Sequence, residues 1–491
     1  MNAADYLMSA SLFSTVRSSW RPIARGQTSR AGGSCESFSK QVTYPIPVIT
    51  GLDPVIHALF SAGGVDGRNE SGHDDLRSLP DQPVTTERMS MSELHRFLDE
   101  ARALLPAAVA LRRRIHQKPE LGLNLPLTTQ AVLDELQGLD VAIARGPSTS
   151  GLIVTLNGAK PGRTILLRGD MDALPMPEDT GLDYASEFPG RMHACGHDSH
   201  TAMLVQAVHL LHRHRDELAG TVKFMFQPGE EGYGGARLMI QDGLLDADPK
   251  PDGAFALHIW PTAKAGAIVG KPGPMLASVD TWTITVRGRG GHASMPHDAV
   301  DPIPVAFEIG LAFQALVTRR IDVADPVVLT CTKLTAGTAS NVIPEFVEML
   351  GTLRSTSEAA RERAHQGIHR IAANVAAAHL CEANVAIRRG YPVTVNDPGF
   401  VDFARGVATE LLGADKYVDR PAPLMGAEDF SYVLQRIPGC MMMLGVMPDG
   451  HDGHDHVAPC HSNRMILNED CMAVGIAMHA SVAHRFLAQG L

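Results

Sequence analysis

The sequence predicts an α/β protein in which a mixed-sheet catalytic domain is interrupted by a smaller α+β unit. Three observations carry the prediction. From residue 91 onward, short apolar runs of strand length alternate with helix-length amphipathic stretches, the pattern of a sheet covered on both faces. Residues with ligand chemistry cluster where those apolar runs end, which is where open α/β sheets place their sites. Midway along the chain, the order strand, helix, strand, strand, helix, strand marks a compact insert.

Residues 1–88 differ from the rest. "VRSSWRPIARGQTSRAGGSCESFSK" is rich in Ser, Arg and Gly, and "SAGGVDGRNESGHDDLRSLPDQPVTT" has no stable period. The segment reads as a mostly disordered leader, an Arg/Ser-rich targeting peptide, or an extension ahead of a true start at Met89 or Met91. The catalytic domain then begins over 89–278. Its first helix is amphipathic, in "MSELHRFLDEARALLPAAVALRRRIHQKPELG". Strands are expected at 151–158, 163–172, 220–230 and 253–260, and helices at 127–138, 200–215 and 233–243. The insert is expected over 279–388, beginning within "SVDTWTITVRGRG" and ending within "CEANVAIRRGY". The catalytic domain resumes over 389–491 with the helix "PGFVDFARGVATELLG" and the strand "GCMMMLGV".

Composition narrows the function. The 491 residues are 44% hydrophobic, enough to bury two or more cores. A net charge of −11 does not support generic attraction to nucleic acid or to an anionic membrane. No uninterrupted apolar run approaches the roughly 18 residues of a membrane span. The 7 cysteines are scattered and odd in number, which argues against a disulfide scaffold and fits a reducing cytoplasm.

The densest chemistry lies in "HACGHDSHTAML" (193–204). Cys195 and His197 are two positions apart, so on an extended segment both would leave the same face and converge on one ion. Zinc, cobalt, nickel and manganese are all compatible with a thiolate and an imidazole. A helix is expected from His200, with Asp198 or Ser199 near its N-cap. In this stretch alone, a metal site and a cysteine among ordinary histidines are equal readings. "FQPGEEGYGGA" places Glu230 and Glu231 after a strand, either as ligand and proton carrier or as surface acids at a helix start. Asp170 and Asp172, in "RGDMDALPMPE", read as ligands, as acceptors behind a ligand histidine, or as solvated loop acids. His258, inside "ALHIW", reads alone as a core histidine, and His461 as a loop histidine. "HDGHDH" (451–456) is dense in histidine without converging.

Nine motifs in order resolve these alternatives by resemblance. They are "RRRIHQKPELG" (112–122), "RGDMDALPMPE" (168–178), "MHACGHDSHTAML" (192–204), "FQPGEEGYGGA" (226–236), "GRGGHASMPHDAVDP" (288–302), "TASNVIPE" (338–345), "GTLRS" (351–355), "GAEDFS" (426–431) and "CHSNRMILNED" (460–470). Over roughly 91–491 the chain resembles the M20 metallopeptidase family, amidohydrolase branch, subfamily D. That branch includes N-acyl-amino-acid amidohydrolases, hippurate hydrolases and auxin-conjugate hydrolases. The resemblance implies a metallopeptidase-like catalytic domain whose insert is a lid and dimerisation domain. It implies two divalent ions (Mn, Zn, Ni or Co) on Cys195, His197, Glu231, His258 and His461, with Glu230 as general base. It further implies that His292 completes the site, in some relatives across a homodimer. Asn341 and Arg354 would meet the substrate carboxylate. Asp170, Asp172 and His200 remain supporting or turn residues. "HSNRM" departs from the family's proline-containing stretch, which touches local backbone shape and not His461 itself.

The expected reaction is hydrolysis of a small N-acyl amino acid, with no nucleic-acid or membrane partner. The nearer rival is a dipeptidase or aminopeptidase of the same family. The rival from another class is a non-catalytic metal-binding regulator, which could dispense with Glu230 or His292. A serine hydrolase is disfavoured because no G-x-S-x-G elbow precedes the histidine motifs.

Overall fold

The computed structural model describes residues 91–451 and 456–491. The leader over 1–88, Met89 and the centre of the histidine-dense segment lie outside the described residues. Helices are α1 (Met91–His116), α2 (Pro126–Glu135), α3 (His197–Arg213), α4 (Gly235–Gln241), α5 (Pro302–Arg320), α6 (Glu358–Ala378), α7 (Pro398–Leu412), α8 (Ser431–Leu434) and α9 (Met472–Gln489). Strands of the larger sheet are β1 (Ala142–Arg145), β2 (Leu152–Asn157), β3 (Lys160–Asp170), β4 (Ala219–Gln227), β5 (Gly253–Trp260), β6 (Ile268–Gly270), β15 (Tyr417–Asp419) and β16 (Gly439–Gly445). The remaining strands are β7 (Gly273–Leu276), β8 (Ser278–Arg287), β9 (Gly291–His292), β10 (Val327–Ala336), β11 (Val342–Ile343), β12 (Phe346–Ser355), β13 (Glu382–Arg389) and β14 (Thr394–Asn396).

The larger sheet has 8 strands in the order β1-β2-β4-β3-β5-β16-β6-β15. Its centre is parallel, β4-β3-β5-β16, and its β1-β2 edge is antiparallel. Alternate residues feed opposite faces. Ile165, Leu167, Phe224 and Phe255 join the core under α1, α3, α7 and α9, whereas Leu166, Met225, Ala254 and Met441 face Met239, Phe430 and Val433. Both faces are covered, so the strands read as continuous apolar runs. The segment Glu469–Gln489 is long and apolar enough to span a membrane, but 83% of its apolar window is buried in this core.

The smaller sheet is antiparallel, in the order β10-β12-β8-β13. Along β8, buried and half-buried residues alternate with period two. Its inner face packs Trp282, Ile284 and Val286 against Phe313 of α5 and Ile368 of α6. The chain leaves the larger sheet through β7 and comes back through β14, and these two strands pair with each other.

Two local expectations change. Helix α3 starts at His197, three residues before the expected position, and neither Asp198 nor Ser199 caps it. Gly196 is the N-cap, with φ +79° and no side-chain cap. A Cβ there would sit 2.5 Å from Ile259 Cγ1, so the turn requires glycine. Cys195 and His197 therefore do not share an extended segment. They flank a left-handed turn that swings the chain into the helix.

The smaller sheet holds a buried ion pair. Both Asp280 carboxylate oxygens bond Arg361, at 2.5 and 2.9 Å, and His365 Nε2 lies 2.6 Å away. Burial opposes ionisation of Asp280, yet Arg361 and His365 hold its carboxyl well below the usual carboxylate range. Asp280→Ala leaves the buried Arg361 guanidinium with only the exposed Glu358 carboxylate at 3.0 Å as its ionic partner, and should cost about 3 kcal/mol in urea unfolding. Because the folded-state carboxyl is depressed, this contribution is complete above the unfolded value near pH ~3.9 and declines as pH falls below it. Asp280→Ala should therefore lose its disadvantage in acid, as unfolding curves across pH would reveal.

Candidate active site

Three neighbouring parallel strands end at the same rim. Asp170 closes β3, Glu230 and Glu231 follow β4, and His258 lies near the end of β5. The sharp turn before the two glutamates uses Gly229 at φ +74°. Helix α3 brings His197 to this rim with its first residue. His461 arrives from the opposite side of the chain, in the left-handed region at φ +68°, with its N–H bonded to Ala194 O at 2.8 Å. A non-glycine residue there signals a backbone held by its surroundings.

The hydrogen bonds orient the imidazoles. His197 Nδ1 donates to Asp172 O at 2.8 Å, and His258 Nδ1 donates to Ile259 O at 2.7 Å. In its neutral form each ring therefore presents an Nε2 lone pair. His258 Nε2 stands 3.4 Å from Cys195 Sγ. Ligand atoms of Cys195, His197 and His258 lie within 4.8 Å of one another, as do those of Cys195, Glu231 and His461, and those of His197, Glu230 and Glu231. Shared members link these triples, so all five expected ligands converge.

The donor set fits divalent cations by an independent observation. His197 Nε2 and Glu231 Oε1 are buried and make no hydrogen bond. His461 Nε2 is 3.3 Å from Glu231 Oε1, and Asp170 Oδ2 is 3.5 Å from His197 Nε2, both close in charge without hydrogen-bond geometry. Buried polar atoms left this way are costly unless another partner takes them. The local field also favours positive charge. Burial works against charging His197, but Asp170, Asp172 and Glu231 outweigh it and raise its pKa to about 10. A mixed sulfur, nitrogen and oxygen set suits zinc and its neighbours.

Asp170, Asp172 and His200 support this arrangement from behind. Asp172 accepts the backbone N–H of Glu230 at 2.9 Å and of Glu231 at 3.0 Å. His200 Nδ1 lies 2.6 Å from Asp170 Oδ1, while its Nε2 accepts the Ile259 N–H at 2.8 Å. Both His200 nitrogens are thus occupied, and although His200 lies close enough to group with Asp170 and His197, it has no lone pair left for an ion.

Glu230 is 7% exposed, and its carboxylate accepts no hydrogen bond among the described residues. Burial, then Glu428 and Glu231, push its carboxyl well above the ordinary range. Glu231 goes the other way: burial would raise it, but His461 and His197 lower it. The adjacent acids therefore differ in character. Hydrogen bonding to Cys460, followed by burial, holds the Cys195 thiol well above the usual cysteine range. A bound divalent cation would deprotonate it.

A cavity of about 550 Å3 opens on the cluster. Arg354 of β12 lines it, half-buried and without a hydrogen bond or salt bridge among the described residues. Leu276, Trp260 and Met443 add apolar wall. His292 and Asn341 do not join them. Both are exposed: His292 lies on β9, and Asn341 lies in the turn just before β11, and these two strands pair only with each other. His292 Nδ1 accepts the Ser294 N–H at 3.1 Å, so a neutral ring carries its proton on an outward Nε2.

Sequence reasoning missed Arg168, Glu428, Tyr391 and Cys460. Arg168 is fully buried and bonds Asp170 at 2.6 Å and Glu428 at 2.7 Å, and Tyr391 donates to Glu230 O at 2.7 Å. An arginine inside the apolar run "RTILLRGD" and an acid pair inside "GAEDFS" were the available signals.

Comparison with known proteins follows the same lines. Residues 166–485 match the family described as Peptidase family M20/M25/M40. Thermostable carboxypeptidase 1 of Saccharolobus solfataricus is 34% identical over 400 residues, 81% of this chain and 99% of the relative. IAA-amino acid hydrolase ILR1-like 4 of Arabidopsis thaliana is 37% identical over 78% of this chain and 86% of its own length. Among solved structures, the YXEP protein of Bacillus subtilis, a dinuclear metal binding peptidase from the M20 family, superposes with a TM-score of 0.67 at 32% identity. That match covers 78% of this chain and 99% of the other.

Asp172→Ala frees both glutamate amides and should weaken zinc binding roughly 10- to 100-fold, the usual cost of losing a supporting carboxylate. Titration calorimetry with zinc would detect it, and an unchanged affinity would refute the role.

Proposed function

Since the chain belongs to peptidase family M20/M25/M40, on its amidohydrolase branch, we propose that it hydrolyses the amide bond of N-acyl amino acids, hippurate-like or related conjugates, to a carboxylic acid and a free amino acid. One observation carries the reading. An unpaired, half-buried guanidinium, Arg354, shares a cavity with the converging ligand cluster and with Glu230. A free carboxylate on the substrate meets Arg354 through a bidentate pair, which leaves the adjacent amide facing the cluster.

Two divalent ions on Cys195, His197, Glu231, His258 and His461, Mn, Zn, Ni or Co, would supply Lewis-acid polarisation and a more acidic water. Glu230 takes the proton of the attacking water and returns it to the departing nitrogen. Its raised carboxyl suits both halves of that task. Asp172 keeps Glu230 and Glu231 pointing apart, and Tyr391 holds the Glu230 carbonyl. Leu276, Trp260 and Met443 exclude water around the reacting bond.

His292 is the remaining part. Its outward Nε2–H is a suitable donor for a developing oxyanion, and it lies off the cavity of its own chain. We assign it to the site of a second copy in a homodimer built through the smaller sheet. Exposed Phe307 and Leu311 on α5 and Phe346 on β12 support such an interface. Asn341 is carried beside His292 by the Ala293–Asn341 backbone bond of 3.0 Å and would meet the same substrate. The described cysteines are all free, which supports a reducing, cytoplasmic setting that keeps Cys195 available.

A second reading, a peptidase acting next to a free C-terminal carboxylate, is favoured by the name of the Saccharolobus relative. Arg354 serves that substrate equally well. A panel of N-acyl amino acids beside dipeptides, run after loading with single metals, separates the two. Higher kcat/KM on dipeptides would overturn the preferred reading.

Glu230→Gln should keep its zinc and lose roughly two or more decades of kcat, the scale of general acid–base catalysis. Glu231→Gln should instead lose zinc. Metal content and turnover of the two variants, measured together, decide this.

His292→Ala and Glu230→Gln should each be inactive alone. After subunit exchange, random assortment makes about half the dimers hybrid, each with one intact site, so about a quarter of wild-type activity should reappear. Tagged hybrids without activity would place His292 outside the partner's site.

A further inference from the structure

The cavity contains a sulfur pair that hydrolysis does not use. Cys195 and Cys460 both line it. The segments that carry them are joined by the His461 N–H to Ala194 O bond, so each cysteine is the immediate neighbour of a bonded residue. The two thiols differ in access: Cys195 is 8% exposed, whereas Cys460 is half-buried at the cavity wall. Both are reduced. Cys460 could therefore meet a small solute first, with Cys195 behind it.

We propose that Cys195 and Cys460 form a reversible redox pair, in which a hydroperoxide closes a disulfide that withdraws Cys195 from the metal centre. The withdrawal rests on the reading of Cys195 as a ligand; the pair itself does not. With hydrogen peroxide, the Cys460 sulfur attacks the O–O bond and becomes a sulfenic acid, and the first water leaves. The Cys195 sulfur then displaces the sulfenic oxygen, forming the S–S bond, and the second water leaves. Two electrons pass from the sulfurs to the peroxide, and both thiol protons depart in the waters. A dithiol reductant reverses the bond. Once oxidised, the Cys195 sulfur is no longer a thiolate and holds a cation poorly.

The test uses the full chain loaded with zinc. Protein is exposed to hydrogen peroxide beside a chromogenic zinc chelator, blocked with N-ethylmaleimide, and mapped by mass spectrometry without reduction. The expected result is a cross-linked peptide pair containing Cys195 and Cys460, lighter by the two thiol hydrogens. Zinc should leave in step with it, its affinity falling by at least the roughly 10- to 100-fold that a lost supporting contact costs. Dithiothreitol should restore both the thiols and the zinc binding. In Cys460→Ser the cross-link should be absent, and Cys195 should appear as higher oxides under the same dose. Zinc-loaded protein that yields no Cys195–Cys460 peptide overturns the proposal. A cross-link that forms while zinc stays bound overturns the coupling to the metal centre, and with it the role of Cys195 as ligand.

Discussion

Asp172 spends both carboxylate oxygens on backbone donors, the amides of Glu230 and Glu231, and its carbonyl on His197 Nδ1. Two residues earlier, Asp170 holds Arg168 and His200. The end of β3 thus reaches the turn after β4, the first turn of α3 and, through His200 to Ile259, the end of β5. These bonds to ionised carboxylates are stronger than neutral ones and set direction as well as distance. The ligand atoms converge because β3 lies between β4 and β5 in the sheet and its terminal aspartates tie both neighbours to itself.

That arrangement places several like charges together out of water, which is expensive unless they are paired. Arg168 answers part of the charge. It bonds Asp170, Gln227 and Glu428, while burial and the nearby carboxylates push Asp429 and Glu428 upward. A second network explains "RRRIHQKPELG", a motif with no chemistry of its own. Arg112 bonds Asp198 at 2.9 Å and Glu469 at 2.8 Å, and His116 lies 2.7 Å from Asp198. It fastens α1 to the first turn of α3, directly behind His197. Networks of this kind orient ligands more than they add stability.

The cavity has two sources. The larger sheet supplies the ligand cluster and Glu230, while the smaller sheet supplies Arg354 from β12. Between them run β7 and β14, paired over a few residues. In the proposed function, the distance between Arg354 and the substrate amide is therefore set by how two separately packed cores meet, and a small shift there would alter substrate fit without moving the cluster. His292 shows the same division: it is carried by the smaller sheet's own short ladder, away from the cluster of its chain.

The sequence by itself determined the strand and helix pattern, because apolar periodicity is a local property. It also offered Cys195, His197, Glu230, Glu231, His258 and His461 as candidates, through motifs that resemble those of the M20 family; their residue types alone left other uses open. It did not determine why Cys195 and His197 converge. That depends on the left-handed Gly196 turn against Ile259, a contact across 63 residues. Residue types alone do not separate ligand from support either; the family resemblance made that division without its physical reason. His200 and His197 look alike in "GHDSH", and only the folded chain shows His200 with both nitrogens occupied and His197 with a free lone pair. Tertiary structure decided these points because hydrogen-bond partners come from other strands. A side chain's role follows from which of its atoms those partners leave unused.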